Sequence, residues 1–189
     1  VRMTLSTPAD FDFGSAVCSH GFFVLAPNRW DPVRRRLRTV VNLDNERAVT
    51  IDIAEGAGRS VTVNAARRVE PADREVIGAA VRRMRRLDED LSEFHARCRV
   101  SASHVRAAET RFGRLLRGAS LFEDLVKVIC TCNVAWRQTV VMIEALTSHW
   151  GVPTGSGDLK GFPTPSRLAA VSPAELREGA RVGYRSEFI

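Results

Sequence analysis

The sequence predicts an α+β protein, with an antiparallel sheet region over residues 1–68 and an all-α part after it. Three observations predict this. In the first third, apolar residues alternate with polar ones: Val49, Ile51 and Ile53 oppose Thr50 and Asp52, and Val61 and Val63 oppose Thr62 and Asn64. From residue 70 the spacing changes to three and four, through Ile77, Val81, Met84, Leu87, Leu91 and Phe94. Finally, residues 121–150 are apolar at so many positions that they predict a helix pair interrupted by a polar break at Asn133.

Within the sheet region the strand-like runs are His20 to Leu25, Leu37 to Leu43, Ala48 to Ile53 and Val61 to Ala65. Turn signals at Asp44-Asn45 and Gly56-Ala57-Gly58 separate the later ones. The segment Ala26 to Pro32 is too rich in turn formers to be read as strand. Arg34, Arg35, Arg36 and Arg38 crowd the second run, where a solvated edge accounts for them and phosphate contact is the alternative. Pro71 suits a first helical turn, so one helix packing on the sheet is expected from about 70 to 98. Arg82, Arg83, Arg85 and Arg86 fall mostly off its apolar stripe and read as a solvated face, with phosphate-backbone contact the alternative, and Asp88, Glu89 and Asp90 nearly cancel their charge.

Residues 99–189 form the helical part. A helix is expected from His104 to Leu116. Ser120 and Glu123 then have capping-box spacing before the apolar pair. The first helix of that pair is greasy nearly all round, which predicts a place in the middle of the domain. The second carries its stripe through Trp136, Val140, Ile143 and Trp150, and Trp136 reads as core, with base stacking the alternative. Asn133 between them either caps the second helix or points into a functional cavity. Gly151 ends the pair, and the glycine-rich stretch from Pro153 to Gly161 reads as a flexible connection. Short helices are expected after Thr164-Pro165 and at Ser172-Pro173-Ala174-Glu175, the latter with a capping box. The residues up to Ile189 suggest an amphipathic helix cut short.

Composition narrows the function classes. The 189 residues are 44% hydrophobic and 26% charged, as in globular proteins. No apolar run reaches the ~18 residues of a membrane span. The N-terminus has no basic segment followed by an apolar run, so no signal peptide is expected and a cytoplasmic location is. The net charge is +6, and all 28 cationic residues except Lys127 and Lys160 are arginine. Arginine's planar fork suits phosphate, so nucleic acid is a fitting partner. Cys18, Cys98, Cys130 and Cys132 make no C-x-x-C pair; they read as structural thiols, and neither a metal nor a cofactor is expected.

Three blocks together resemble helix-hairpin-helix DNA glycosylases of the 8-oxoguanine and 3-methyladenine types. They are Leu121 to Cys130 continuing through Asn133 to Gln138, then Gly161-Phe162-Pro163-Thr164-Pro165, then Val182-Gly183-Tyr184-Arg185-Ser186-Glu187-Phe188-Ile189. Cys18-Ser19-His20-Gly21-Phe22-Phe23 matches the family's N-terminal domain more loosely. The resemblance implies base-excision repair on double-stranded DNA containing a damaged base, by a monomer in its full-length form. It implies that Asn133 and Tyr184 fill the hole left by an extruded base, and that Gln138 and Arg185 face the orphaned partner base. The family's catalytic glycine-rich hairpin and following Asp have no counterpart in residues 1–189. The resemblance therefore places the catalytic residues beyond Ile189 and makes the helical domain incomplete. Asp158 and Lys160 precede the Gly-Phe-Pro block, the wrong order to substitute. Ser19, with Gly21 as second choice, aligns with the family's lesion-reading glycine, which leaves the lesion open. A non-catalytic DNA-binding or scaffold protein derived from the same fold is the rival expectation.

Overall fold

The structure is a computed structural model that describes residues 1–155 and 159–189. Asp158 lies outside the described residues. The N-terminal strand β1 (Arg2–Ser6) leads to a short helix α1 (Phe13–Val17), capped by the Asp12 carboxylate on the Ser15 N–H. Strands β2 (Arg29–Asp31), β3 (Arg36–Asn42), β4 (Ala48–Glu55) and β5 (Ser60–Ala65) follow. All neighbours pair antiparallel, in the order β1-β5-β4-β3-β2. The alternation read from β4 and β5 has its physical counterpart here. Ile51, Ile53, Val61 and Val63 are fully buried under Ile77, Val81 and Met84 of α2 (Pro71–Arg85) and under Phe13 and Val17 of α1. Each such side chain contributes roughly 1.5–3 kcal/mol.

Two expectations about this half change. His20 to Leu25 is not a strand: Gly21–Val24 forms a 3₁₀ turn, and the segment leaves the sheet to bury Phe22 and Leu25 in the helical core. The turn-rich stretch after it does hold a strand, because Arg29, Trp30 and Asp31 pair with Arg38, Leu37 and Arg36.

The helix expected over 70–98 is two helices, α2 and α3 (Ser92–Arg99). Arg86 turns left-handed at φ 52°, and the Leu87 N–H reaches back to the Arg82 carbonyl, a Schellman closure. Asp90 then accepts from the Ser92 N–H. The apolar spacing continues through the break because Leu87 still packs on the sheet core. The arginines of α2 are not one solvated face. Arg83 donates to the Gly118 carbonyl and pairs with Asp124, Arg86 pairs with Glu89, and Arg85 is buried over the Phe13 ring.

A similar closure shortens the helix expected from His104 to Leu116. α4 (Val105–Glu109) ends where Arg111 and Gly113 take positive φ. The chain then runs on to α5 (Leu121–Thr131) and α6 (Trp136–Trp150). The stretch read as a flexible connection includes a small hairpin, β6 (Val152–Pro153) with β7 (Lys160–Gly161). Gly161 is required there, since a Cβ would fall 1.8 Å from Asn42 Oδ1. Asn42 Nδ2 donates to the Phe162 carbonyl, so the Gly-Phe-Pro block is sewn to the end of β3. Helices α7 (Pro165–Ala169) and α8 (Pro173–Ala180) start as expected, the second with a complete capping box between Ser172 and Glu175. Residues Gly183–Glu187 form a 3₁₀ turn where an amphipathic helix was expected.

The helical part has its own core of Phe22, Leu25, Val126, Cys130, Met142, Ile143, Leu146, Phe162, Leu168, Leu176 and Val182, with Phe23 touching both cores. Here α5 departs from its expected place. Leu121, Leu125 and Val128 form an exposed stripe, whereas Glu123 and Lys127 are buried. The inversion is possible because the two charges satisfy each other. Lys127 Nζ lies 2.5 Å from Glu123 Oε1, and Glu123 Oε2 accepts from the Ala119 N–H. The ammonium also lies 5.7 Å from the ring centres of both Phe22 and Phe162.

Candidate nucleic-acid interface

The corner between α5 and α6 is built by its backbone first. α5 stops at Thr131, Cys132 is extended, and Asn133 turns left-handed at φ 52°. Asparagine tolerates that region better than most residues with a Cβ. Helix α6 is entered through Ala135, with no side-chain cap. Asn133 is therefore not the helix cap that its position in the sequence also allowed. Its side chain is exposed, and its amide Nδ2 donates to the Tyr184 hydroxyl at 3.1 Å.

Tyr184 comes from the far end of the chain, in the 3₁₀ turn after α8, with half its surface (51%) exposed. Two arginines fix it there. Arg177, in the last turn of α8, donates to the Gly183 carbonyl and the Ser186 hydroxyl and pairs with Glu187. Arg185 is only 5% exposed, and its guanidinium lies 4.6 Å from the centre of the Tyr184 ring. It donates to the carbonyls of Val182 and Cys132. A guanidinium taken out of water needs acceptors, and Cys132 at the C-terminal end of α5 supplies one. Arg185 thus faces inward, clamping the two segments that carry Asn133 and Tyr184. Gln138 is exposed on the first turn of α6.

Beneath the corner, Thr139 donates to the Cys130 carbonyl, and burial pushes the Cys130 thiol up to about 12, so it remains a neutral packing group. Beside the corner lies the His20–Phe22 segment. Gly21 abuts the Trp136 ring, Ser19 accepts from the Leu116 N–H, and the His20 imidazole sits 4.5 Å from the Phe22 ring. Burial lowers the His20 pKa, Asp124 opposes that shift, and the Lys127 charge adds to it. Trp136 was expected to be core but is 42% exposed. The buried face of α6 is instead Thr139, Met142, Ile143, Leu146 and Thr147.

The structure thus joins Asn133, Tyr184 and Arg185, from residues about fifty apart, and puts Gln138 on the adjoining turn. Two features were missed by sequence reasoning: the buried Glu123–Lys127 pair and the Trp136–Gly21 contact. The i,i+4 spacing of an acid and a base on a greasy helix was the available signal for the first. The second had none.

This is the fold of solved DNA glycosylases. The chain superposes on the 3-methyladenine DNA glycosylase from Archaeoglobus fulgidus with a TM-score of 0.76 and 16% identity, over 98% of this chain and 64% of the other. MBOgg1 in complex with a low-affinity DNA ligand gives a TM-score of 0.72 and 19% identity, over 99% and 60%. The apo 8-oxoguanine glycosylase/lyase of Clostridium acetobutylicum gives 0.69 and 12%, over 99% and 60%. The chain spans about three fifths of the length of these proteins. No protein-family model and no curated protein matches its sequence.

Proposed function

We propose that this chain is the DNA-holding and base-extruding part of a base-excision glycosylase of the helix-hairpin-helix superfamily. One observation carries the reading: Asn133 and Tyr184, 51 residues apart in the chain, meet as a single exposed, hydrogen-bonded projection anchored by a buried arginine. Extruding a base from duplex DNA costs a few kcal/mol of pairing and stacking. A flat aromatic beside an amide can recover part of that by occupying the gap. Gln138, exposed one turn away, presents an amide suited to the edge of the unpaired partner base. Arg185 acts indirectly, by positioning the projection.

The reading assigns excision of the base to groups outside residues 1–189. It also gives the exposed stripe of Leu121, Leu125 and Val128 a purpose, as the seat for the remainder of the glycosylase fold.

The test is binding of the 189-residue protein to intact duplex and to duplex with an abasic-site analogue. The wild type is expected to prefer the abasic duplex, and Tyr184→Ala to erase roughly tenfold of that preference. Equal weakening on both duplexes would sink the gap-filling role.

A further inference from the structure

Arg85, in the last turn of α2, is a buried cation without a counter-ion. Only 1% of its surface is exposed, and none of its three guanidinium nitrogens meets a hydrogen-bond acceptor among the described residues. Arg114 is buried almost as deeply, but it donates to both carboxylate oxygens of Asp10 and to the Arg86 carbonyl. What Arg85 has instead is the Phe13 ring of α1, with the ring centre 5.0 Å from the guanidinium carbon. An aromatic face compensates a buried cation only in part, and burial pulls Arg85 down to about 9.

At the other end of α1 stands Cys18, the C-cap residue, with its thiol exposed. Among the ionisable groups of the described residues, it is the one whose charge acts on Arg85. A second cation lies on the same turn. The Cys18 N–H donates to the Gly14 carbonyl, and a Cβ at residue 14 would stand 3.3 Å from Arg35 Nη2. The Arg35 guanidinium therefore rests on the helical turn that ends in Cys18. As a thiol, Cys18 does not supply the missing charge, because burial raises its pKa more than Arg85 and Arg35 lower it.

We propose that Cys18 is an oxidation site for peroxides, and that its sulfinate is the counter-ion Arg85 lacks. In the first step the sulfur takes one oxygen from hydrogen peroxide. An S–O bond forms, the O–O bond breaks, and the other oxygen leaves as water with the thiol proton. A second equivalent adds the second oxygen and releases a second water, and the sulfinic acid gives its proton to solvent. Each step oxidises the sulfur by two electrons and reduces one peroxide. The product presents two anionic oxygens to Arg85 and Arg35, as acceptors of charge-assisted hydrogen bonds. Oxidation at this position thus stabilises the sheet half.

The test uses the 189-residue protein carrying Cys132→Ser, which leaves Cys18 as the one exposed cysteine among the described residues. After hydrogen peroxide, peptide mass spectrometry is expected to find two added oxygens on Cys18. The melting temperature is expected to rise by roughly 3–8 °C over the reduced protein. The same protein with Arg85→Met is expected to gain nothing on oxidation. Cys18→Asp supplies a carboxylate without any oxidant; it is expected to raise the melting temperature when Arg85 is present and to lower it in Arg85→Met. Sulfinate on Cys18 with an unchanged or lower melting temperature, an equal rise in Arg85→Met, or no oxidation of Cys18 would overturn the proposal. Where Arg85→Met fails to fold, Cys18→Asp decides alone: a lower melting temperature with Arg85 present overturns the proposal, and a higher one supports it.

Discussion

In the sheet, arginines meet carboxylates; at the corner between α5 and α6, an arginine meets carbonyls and leaves an amide and a phenol facing outward. Arg36 and Arg38 share Asp52, Arg34 pairs with Asp31, and Arg35 with Glu55. A run of cations that resembles a phosphate-binding edge is thus largely neutralised by its own sheet. At the corner Arg185 is buried, and its bonds to Val182 and Cys132 hold Asn133 and Tyr184 in the open. The difference teaches where to look for a DNA contact in an arginine-rich protein. Cation density says little, because a salt-bridged side chain has already found its counter-ion. An exposed polar pair held in place by a buried anchor says more.

The largest effect expected of a single substitution lies at the start of α5, at the other end of that helix from the corner. Glu123→Ala would leave Lys127 buried without its partner, a loss of roughly 3–5 kcal/mol. Urea denaturation measures it. A loss below about 1 kcal/mol would mean that the pair is hydrated in solution and that α5 is not anchored through its charged face. In the sheet the expectation is far smaller. Arg38→Gln removes one of two cations on Asp52, a partly exposed bridge whose contribution is about 0–1 kcal/mol. DNA affinity and its salt dependence should not change, because an arginine held by a carboxylate releases no counter-ions from DNA. A clear drop in the salt slope would break the comparison by making the sheet a phosphate-binding surface.

The alternation of β4 and β5, the switch to helical spacing at residue 71, and the capping box at Ser172 were legible because each is a local pattern with a local cause. The continuous helix expected over 70–98 was not corrected by the sequence, since Leu87 keeps the apolar spacing across a left-handed residue that is arginine where glycine would have signalled the break. α5 was misread for a related reason. Glu123 and Lys127 look like surface charges until their pairing is known, and once they are buried the leucines must take the outer face. At the corner, the resemblance named Asn133 and Tyr184, and nothing in spacing could have brought them together across fifty residues. The resemblance assigned Arg185 to the partner base, whereas its guanidinium is buried on the carbonyls of Val182 and Cys132. The unmet carbonyl at the end of α5, which pulls its guanidinium inward, has no signature in the sequence.

The central claim is that Asn133 and Tyr184 act on the DNA gap as one unit, joined through the amide-to-hydroxyl hydrogen bond. A double-mutant cycle tests it most directly, with Asn133→Ala, Tyr184→Phe and the double variant measured on abasic-site and intact duplexes. The account predicts a coupling of roughly 0.5–1.5 kcal/mol in the preference for the abasic duplex, the double variant losing scarcely more than either single one. Strictly additive losses, or no change in preference for any variant, would contradict it.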